Sequence, residues 1–196
     1  MSLIGGGELV ARILKQENVE CIFTLCGGEI DPILQQCTDA GIKVIDTRHE
    51  QAAVFAAEGW AMATGTPGIV AATAGPGMAN AVTGIWDARE KGCPIIVFGG
   101  RTGVKNRDLG AILDTNQLAM VSSITKWSRS GFETRRIAEY VSMAFREALS
   151  GRPGPVYLEF PYDVLDAQIE ESDVLWPTNY RTTAGWISTS PTCTPI

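Results

Sequence analysis

Glu50 lies in the run Thr47-Arg48-His49-Glu50-Gln51-Ala52-Ala53, between a short apolar segment and a stretch of small residues suited to a helix. A carboxylate at the head of a buried, alanine-rich helix is stripped of water and needs a partner proton. Such a group is equipped to exchange a proton with a ligand. A helix N-terminus also favours an acidic side chain through its dipole, with no chemistry implied. Two other turns weigh on that choice. Leu25-Cys26-Gly27-Gly28-Glu29 ends an apolar run in paired glycines, which let a ligand approach the backbone. Thr73-Ala74-Gly75-Pro76-Gly77-Met78-Ala79-Asn80 ends another, where Gly-Pro-Gly fixes an unusual backbone and Asn80 adds an amide one turn later. This second turn lacks the Lys-Ser/Thr of a P-loop and the spacing of the dinucleotide fingerprint, so nucleotide binding is not the first reading. His49 is the single histidine, and it either relays a proton or caps the helix beside Glu50. One histidine rules out HExxH and facial-triad metal sites and leaves Ser-His-Asp or Cys-His chemistry one residue to draw on. Catalysis must lean on carboxylates or on a cofactor.

The elements that would carry these turns follow from the apolar pattern. Leu9, Val10, Ile13 and Leu14 recur at helical spacing after Gly5-Gly6-Gly7, and Cys21-Ile22-Phe23-Thr24-Leu25 reads as a buried strand stopped by Gly27-Gly28. The alternation continues with a helix near 30–40, a strand at Lys43-Val44-Ile45-Asp46, the helix after Glu50 and a strand over 69–73. A helix over 77–90, a strand over 94–98, a long helix over 133–150 and a strand over 156–160 complete it. Near-continuous apolar strands between amphipathic helices mean a parallel sheet covered on both faces. The predicted fold is α/β, doubly wound, with a mainly parallel six-stranded sheet and helices on both faces. Ligands of such sheets bind beyond the carboxyl ends of the strands, where all three turns fall. The stretch 99–117 has little periodicity and is long for a connection, as functional or mobile loops are. The domain is expected over 1–165, with 166–196 a linker and tail.

A net charge of −6 with scattered basic residues gives no electrostatic footprint for nucleic acid or anionic membrane. No run is apolar enough to span a bilayer and no secretory leader is evident, so the expected location is cytoplasmic. Cysteines at 21, 26, 37, 93 and 193 are odd in number and form no CxxC pair, which argues against a disulfide framework or a zinc site.

Taken in order, these segments resemble the N-terminal pyrimidine-binding domain of thiamine diphosphate enzymes, in the group containing acetolactate synthase, oxalyl-CoA decarboxylase and benzaldehyde lyase. The match includes Gly6, Glu8 and Leu9, then Asp46-Thr47-Arg48-His49-Glu50 with Ala57-Glu58-Gly59, and Thr73-Ala74-Gly75-Pro76-Gly77 with Asn80. It continues through Ile124-Thr125-Lys126-Trp127 and Gly154-Pro155-Val156 to Pro161 and Asp163, roughly residues 4–170 in all. The specific element is the pairing of HEQAA with AGPGxxN. The resemblance implies that Glu50 is catalytic: it hydrogen-bonds N1′ of the cofactor pyrimidine and favours the imino form, which takes the proton from thiazolium C2. The cofactor then serves as electron sink for making or breaking a carbon–carbon bond beside a carbonyl. By the same matching, Thr73, Pro76, Asn80 and Cys26 would join Glu50 in binding thiamine diphosphate. Gly27, Gly28, Glu29 and Leu113 would line the substrate pocket. Glu58 is expected to be structural, and Cys26 to be a partly buried, inert thiol in preference to a reactive one near the cofactor.

The family holds Mg²⁺ and the diphosphate with a Gly-Asp-Gly motif followed by Asn, which this chain lacks. No metal ligand is therefore expected here, and a diphosphate-binding domain or subunit must supply them. Cys26-Gly27 stands where many members have Pro-Gly, and Ala111-Ile112-Leu113-Asp114 where acetolactate synthases carry Phe-Gln-Glu, which leaves the substrate open. The expected function is the pyrimidine-binding part of a lyase, carboligase or decarboxylase, acting on a small carbonyl compound within a homodimer or larger assembly. The chain would be an N-terminal piece of a longer enzyme. The alternatives are a separate subunit of a split 2-keto acid decarboxylase, or a non-catalytic binding domain that kept the fold.

Overall fold

Residues 2–177 are described by a computed structural model. β1 (Leu3–Gly5) leads into α1 (Gly6–Gln16), which buries Leu9, Val10, Ile13 and Leu14 along one face. β2 (Cys21–Leu25) and β3 (Lys43–Asp46) bracket α2 (Asp31–Asp39), whose Pro32 sits in the first turn, where a missing N–H costs nothing. α3 (Glu50–Thr64) ends at Gly65, whose φ of 74° is the left-handed conformation that closes a helix. β4 (Gly68–Ala72) precedes α4 (Pro76–Lys91). The chain continues through β5 (Ile95–Arg101), the short α5 (Gln117–Val121), β6 (Trp127–Ser130) and α6 (Ile137–Leu149). It closes with β7 (Val156–Pro161), α7 (Tyr162–Asp166) and β8 (Gln168–Glu170).

The main sheet has six strands in the order β3-β2-β4-β5-β7-β6, every pairing parallel, so the α/β fold read from the sequence is the one the chain adopts. Strand alternation splits the core in two. Ile69, Ala71, Ile96 and Phe98 face one layer with Leu9, Ile33 and Val141; Val70, Ala72, Ile95 and Val97 face the other with Val54, Ala81 and Ile85. Each large apolar side chain so buried contributes about 1.5–3 kcal/mol, which is why the central strands β4 and β5 carry no polar side chain before Arg101. From β2 the chain moves outward to β3 and then returns across β2 to lay down β4. That reversal opens a crevice at the carboxyl ends of β2 and β4, and because Leu25 pairs with Ala72, the turns that follow them emerge side by side.

Helix α3 is rich in alanine because it has neighbours on two sides. A Cβ on Gly84 of α4 would lie 2.7 Å from Val54 Cβ, and one on Gly68 would meet the carbonyl of Ala57. The first contact seats α3 against the middle of α4, and the second seats it against the start of β4.

Three stretches differ from the sequence reading. The sixth strand, Trp127-Ser128-Arg129-Ser130, was invisible to an apolar pattern because it is the sheet edge, paired only to β7 and only partly buried. The helix expected over 133–150 begins at Ile137, after a tight turn at Thr134–Arg136. Within the segment expected as linker, Gln168–Glu170 pairs antiparallel with Leu3–Gly5, and Val174, 7% exposed, joins the core. Backbone hydrogen bonds to β1 make that addition, and three residues carry too little periodicity to announce it. Residues 178–196, the rest of that segment, lie outside the described residues.

Candidate functional site

Glu50 opens α3 and is 5% exposed. Asn80, one turn into α4, donates from Nδ2 to Glu50 Oε2 at 2.9 Å, and among the described residues no other hydrogen-bond donor reaches this carboxylate. Oε1 faces the floor formed by Gly77, where an added Cβ would stand 3.2 Å from it and 2.8 Å from Thr73 Cγ2. The Thr73 side chain in turn fills the space beside Gly27, whose Cβ would come within 2.5 Å of Thr73 Cβ, and its hydroxyl donates to Glu29 Oε2 at 2.5 Å. The three turns picked from the sequence therefore form one continuous surface, from Glu50 through Gly77 and Thr73 to Gly27 and Glu29. His49 takes up the capping alternative: its Nδ1 accepts the Gln51 N–H at 3.2 Å, and the ring is exposed.

The Gly-Pro-Gly bend is real. Gly75 has φ 64° and ψ −112°, a conformation closed to residues with a side chain, and it places Pro76 exposed at the head of α4. Leu113, itself at φ 68°, packs over this bend, 3.4 Å from where a Gly75 Cβ would be. A buried carboxylate with one oxygen held by an amide, and the other above a glycine, can accept an N–H from a flat polar ring and exchange its proton.

Residues 4–120 match the family described as "Thiamine pyrophosphate enzyme, N-terminal TPP binding domain". The chain belongs to this family. Its curated relatives include "2-hydroxyacyl-CoA lyase 2" of Danio rerio, 42% identical over 160 residues, covering 82% of this chain and 26% of the relative. The protein of the same name from Homo sapiens is 43% identical over 160 residues, covering 82% and 25%. "Probable acetolactate synthase" of Mycobacterium bovis is 35% identical over 157 residues, covering 80% and 29%. The chain thus spans about a quarter of the length of the curated relatives it matches.

Against this thiamine pyrophosphate-binding domain, the donor set fits. An aminopyrimidine needs an acceptor for a ring nitrogen that carries a proton, together with a shallow floor, and Glu50 Oε1 over Gly77 offers both. Of the remaining residues singled out in the sequence, Cys26, Gly28 and Glu29 sit at the rim and Glu58 does not. Gly28 and Glu29 border an open cleft of about 380 Å³, lined also by Asp31, Thr102, Asn106 and Ile112. Glu58 is turned away from Glu50: it is buried and paired with Lys91 Nζ at 2.8 Å, and burial pushes its carboxyl above the usual range. Cys26 is exposed, not partly buried as the sequence suggested, because it lies in the turn beyond β2; its thiol donates to Asp31 Oδ1 at 3.3 Å, which raises its pKa. The buried thiols of Cys37 and Cys93 are pushed up to about 12. Alkylation followed by peptide mass spectrometry is therefore expected to modify Cys26 first among the described cysteines, at a rate that climbs with pH as its thiolate forms. Faster labelling of Cys37 or Cys93 in folded protein would contradict this.

Sequence reasoning passed over Gln117 and Glu159. Both are fully buried. Glu159 left a signal, an acid inside the apolar strand Val156-Tyr157-Leu158-Glu159-Phe160, since an ionisable group there must have partners. Gln117 left none, because it follows an irregular loop whose path the pattern does not encode.

Proposed function

We propose that this chain forms the pyrimidine-binding half of a thiamine diphosphate-dependent active site in an enzyme that cleaves or forms a carbon–carbon bond next to a carbonyl. The observation that carries it is the buried Glu50 carboxylate, held through Oε2 by Asn80 with Oε1 above Gly77. Bound thiamine diphosphate supplies a nucleophilic carbon and an electron sink. Glu50 accepts and returns the proton of the pyrimidine N1′; burial removes the water that would otherwise hold that proton, and Asn80 fixes the carboxylate. Gly77, which places no Cβ beside Glu50 Oε1, would leave room for the ring, with Pro76, Thr73 and Cys26 as the other residues that would hold it. Gly27, Gly28, Glu29 and Leu113 shape the substrate side. Mg²⁺ and the diphosphate belong to a second domain or subunit carrying acidic and amide ligands.

The greater identity to proteins named as 2-hydroxyacyl-CoA lyases than to the one named as an acetolactate synthase, 42–43% against 35%, favours cleavage of a 2-hydroxyacyl thioester. The loss of Phe-Gln-Glu at Ile112-Leu113-Asp114 agrees with it. Exposed Phe55 and Met62 on α3 and Trp86 on α4 form an apolar face that suits a second copy or the diphosphate-binding partner, and hence a homodimer or larger assembly. No helix among the described residues is long and apolar enough to cross a membrane. The free thiols of Cys21, Cys26, Cys37 and Cys93 suit a reducing compartment such as the cytoplasm.

The test is calorimetric titration of thiamine diphosphate with Mg²⁺ into the chain together with its diphosphate-binding part. Saturable binding is expected, weakened about tenfold or more by Glu50→Ala, the loss of one charged hydrogen bond. Binding indifferent to Glu50 would sink the reading and leave a domain that kept the fold for another purpose.

A further inference from the structure

The bend that carries Gly77 and Asn80 is held from behind by a side chain no motif marks. Gly75 N–H belongs to neither the helix nor the sheet, and it donates to Gln117 Oε1 at 2.6 Å. The other end of Gln117 is tied to the sheet. Its Nε2 donates to the Gly100 carbonyl at 2.7 Å and lies 3.1 Å from both Tyr157 OH and Glu159 Oε2. Tyr157 gives its own hydroxyl proton to Glu159 Oε2 at 2.7 Å, while Arg101 Nη1 and Ser130 Oγ each donate to Oε1 at 2.5 Å. With two acceptors, Gly100 O and Glu159, already claiming its Nε2 side, the amide of Gln117 can be turned only one way: oxygen toward Gly75. A flipped amide would set its N–H₂ against the Gly75 N–H and its oxygen against a carboxylate.

We propose that Gln117 is a positioning residue for the cofactor-binding turn. By fixing Gly75 in its left-handed bend, it sets where α4 begins, and so sets the reach of Asn80 to Glu50 Oε2 and the height of the Gly77 floor below Oε1. The proposal rests on the thiamine reading of the site. Nothing in that reading requires Gln117, whose partners are Gly75, Gly100, Tyr157 and Glu159 and neither Glu50 nor Asn80. It acts only through the backbone of the turn. The anchoring network reaches β5, β6 and β7, so the turn is referenced to the centre of the sheet and not to the neighbouring loop.

Gln117→Met keeps length and burial but removes both the acceptor and the donors. In the cofactor-free chain, amide hydrogen exchange is expected to quicken at Gly75 by about tenfold, the loss of one buried hydrogen bond. Exchange at Val97, in the middle of β5, is expected to stay unchanged. In the chain assembled with its diphosphate-binding part, the same variant is expected to weaken thiamine diphosphate binding by a similar factor. Gln117→Asn keeps an amide in the network but is one methylene too short to reach both Gly75 and Gly100, and it supplies the same readouts should the Met variant fail to fold. Unchanged exchange at Gly75, or equal acceleration at Gly75 and Val97, would overturn the inference, the latter by revealing a merely structural role. Glu50→Ala run alongside separates the two ideas. If it weakens binding and the Gln117 variants do not, the positioning role alone falls; if neither weakens binding, the thiamine reading falls and takes this role with it.

Discussion

Glu50→Gln in the assembled enzyme is expected to lower turnover by two to four orders of magnitude, the range over which a positioned acid–base group acts, while the protein stays folded. Glutamine has the shape of glutamate and can still accept a hydrogen bond from Asn80 Nδ2, now 2.9 Å from the carboxylate. It cannot take a proton and give it back. The change therefore removes proton exchange and little else, unlike Glu50→Ala, which also removes the contact that helps hold the ring. Two parameters should separate accordingly: kcat falls steeply in the Gln variant, whereas cofactor affinity falls more in the Ala variant. Thermal stability in the Gln variant should be equal to or above that of the parent, because a charge 5% exposed has been exchanged for a neutral amide. A loss of turnover under tenfold would show that Glu50 is a helix-opening acid without a chemical role. A large fall in melting temperature would instead tie its effect to folding.

The parts of this site that the sequence made legible are those fixed by local chemistry. An acid before an alanine-rich helix, a Gly-Pro-Gly bend and a double glycine each advertise a βα turn, and in a parallel sheet such turns share one rim. Which of them touch depends on strand order, and only the return of the chain across β2 to β4 brings Thr73 beside Gly27 and Asn80 beside Glu50. The buried strands were equally plain, since Ile69 to Ala72 and Ile95 to Phe98 are apolar on both faces. What escaped was set by long-range pairing. The polar edge strand Trp127–Ser130 and the short Gln168–Glu170 owe their conformation to a neighbour's backbone, and side-chain pattern does not report a backbone partner. Gln117 escaped for a related reason: its four partners lie on Gly75, Gly100, Tyr157 and Glu159, scattered through the chain.

Glu159→Ala is expected to destabilise the domain by about 3–5 kcal/mol, the range found when one member of a buried ion pair is removed. For a chain of this size that is a fall of roughly 6–20 °C in melting temperature. Glu159 is wholly buried and Arg101 is 8% exposed, joined at 2.5 Å. Register places Glu159 between Gly99 of β5 and Ser130 of β6, so its loss strands donors on three strands: the Arg101 guanidinium, the Ser130 hydroxyl, and the Tyr157 hydroxyl with Gln117 Nε2 beside it. The penalty comes from the abandoned charge more than from the lost attraction, since removing two ions from water already offsets much of their mutual energy. The double variant Arg101→Met with Glu159→Met should therefore recover most of the stability that Glu159→Met loses alone, with a coupling of more than about 1 kcal/mol in a denaturant-based cycle. Additive losses would mean that the two side chains act independently and that the pair is not what holds this corner of the sheet. The cycle also bears on the site. Gln117 keeps its acceptor for Gly75 in the double variant but loses the carboxylate that orients its amide, so restored stability with weakened cofactor binding would place the value of the network in the pose of the turn, and restoration of both would place it in the fold alone.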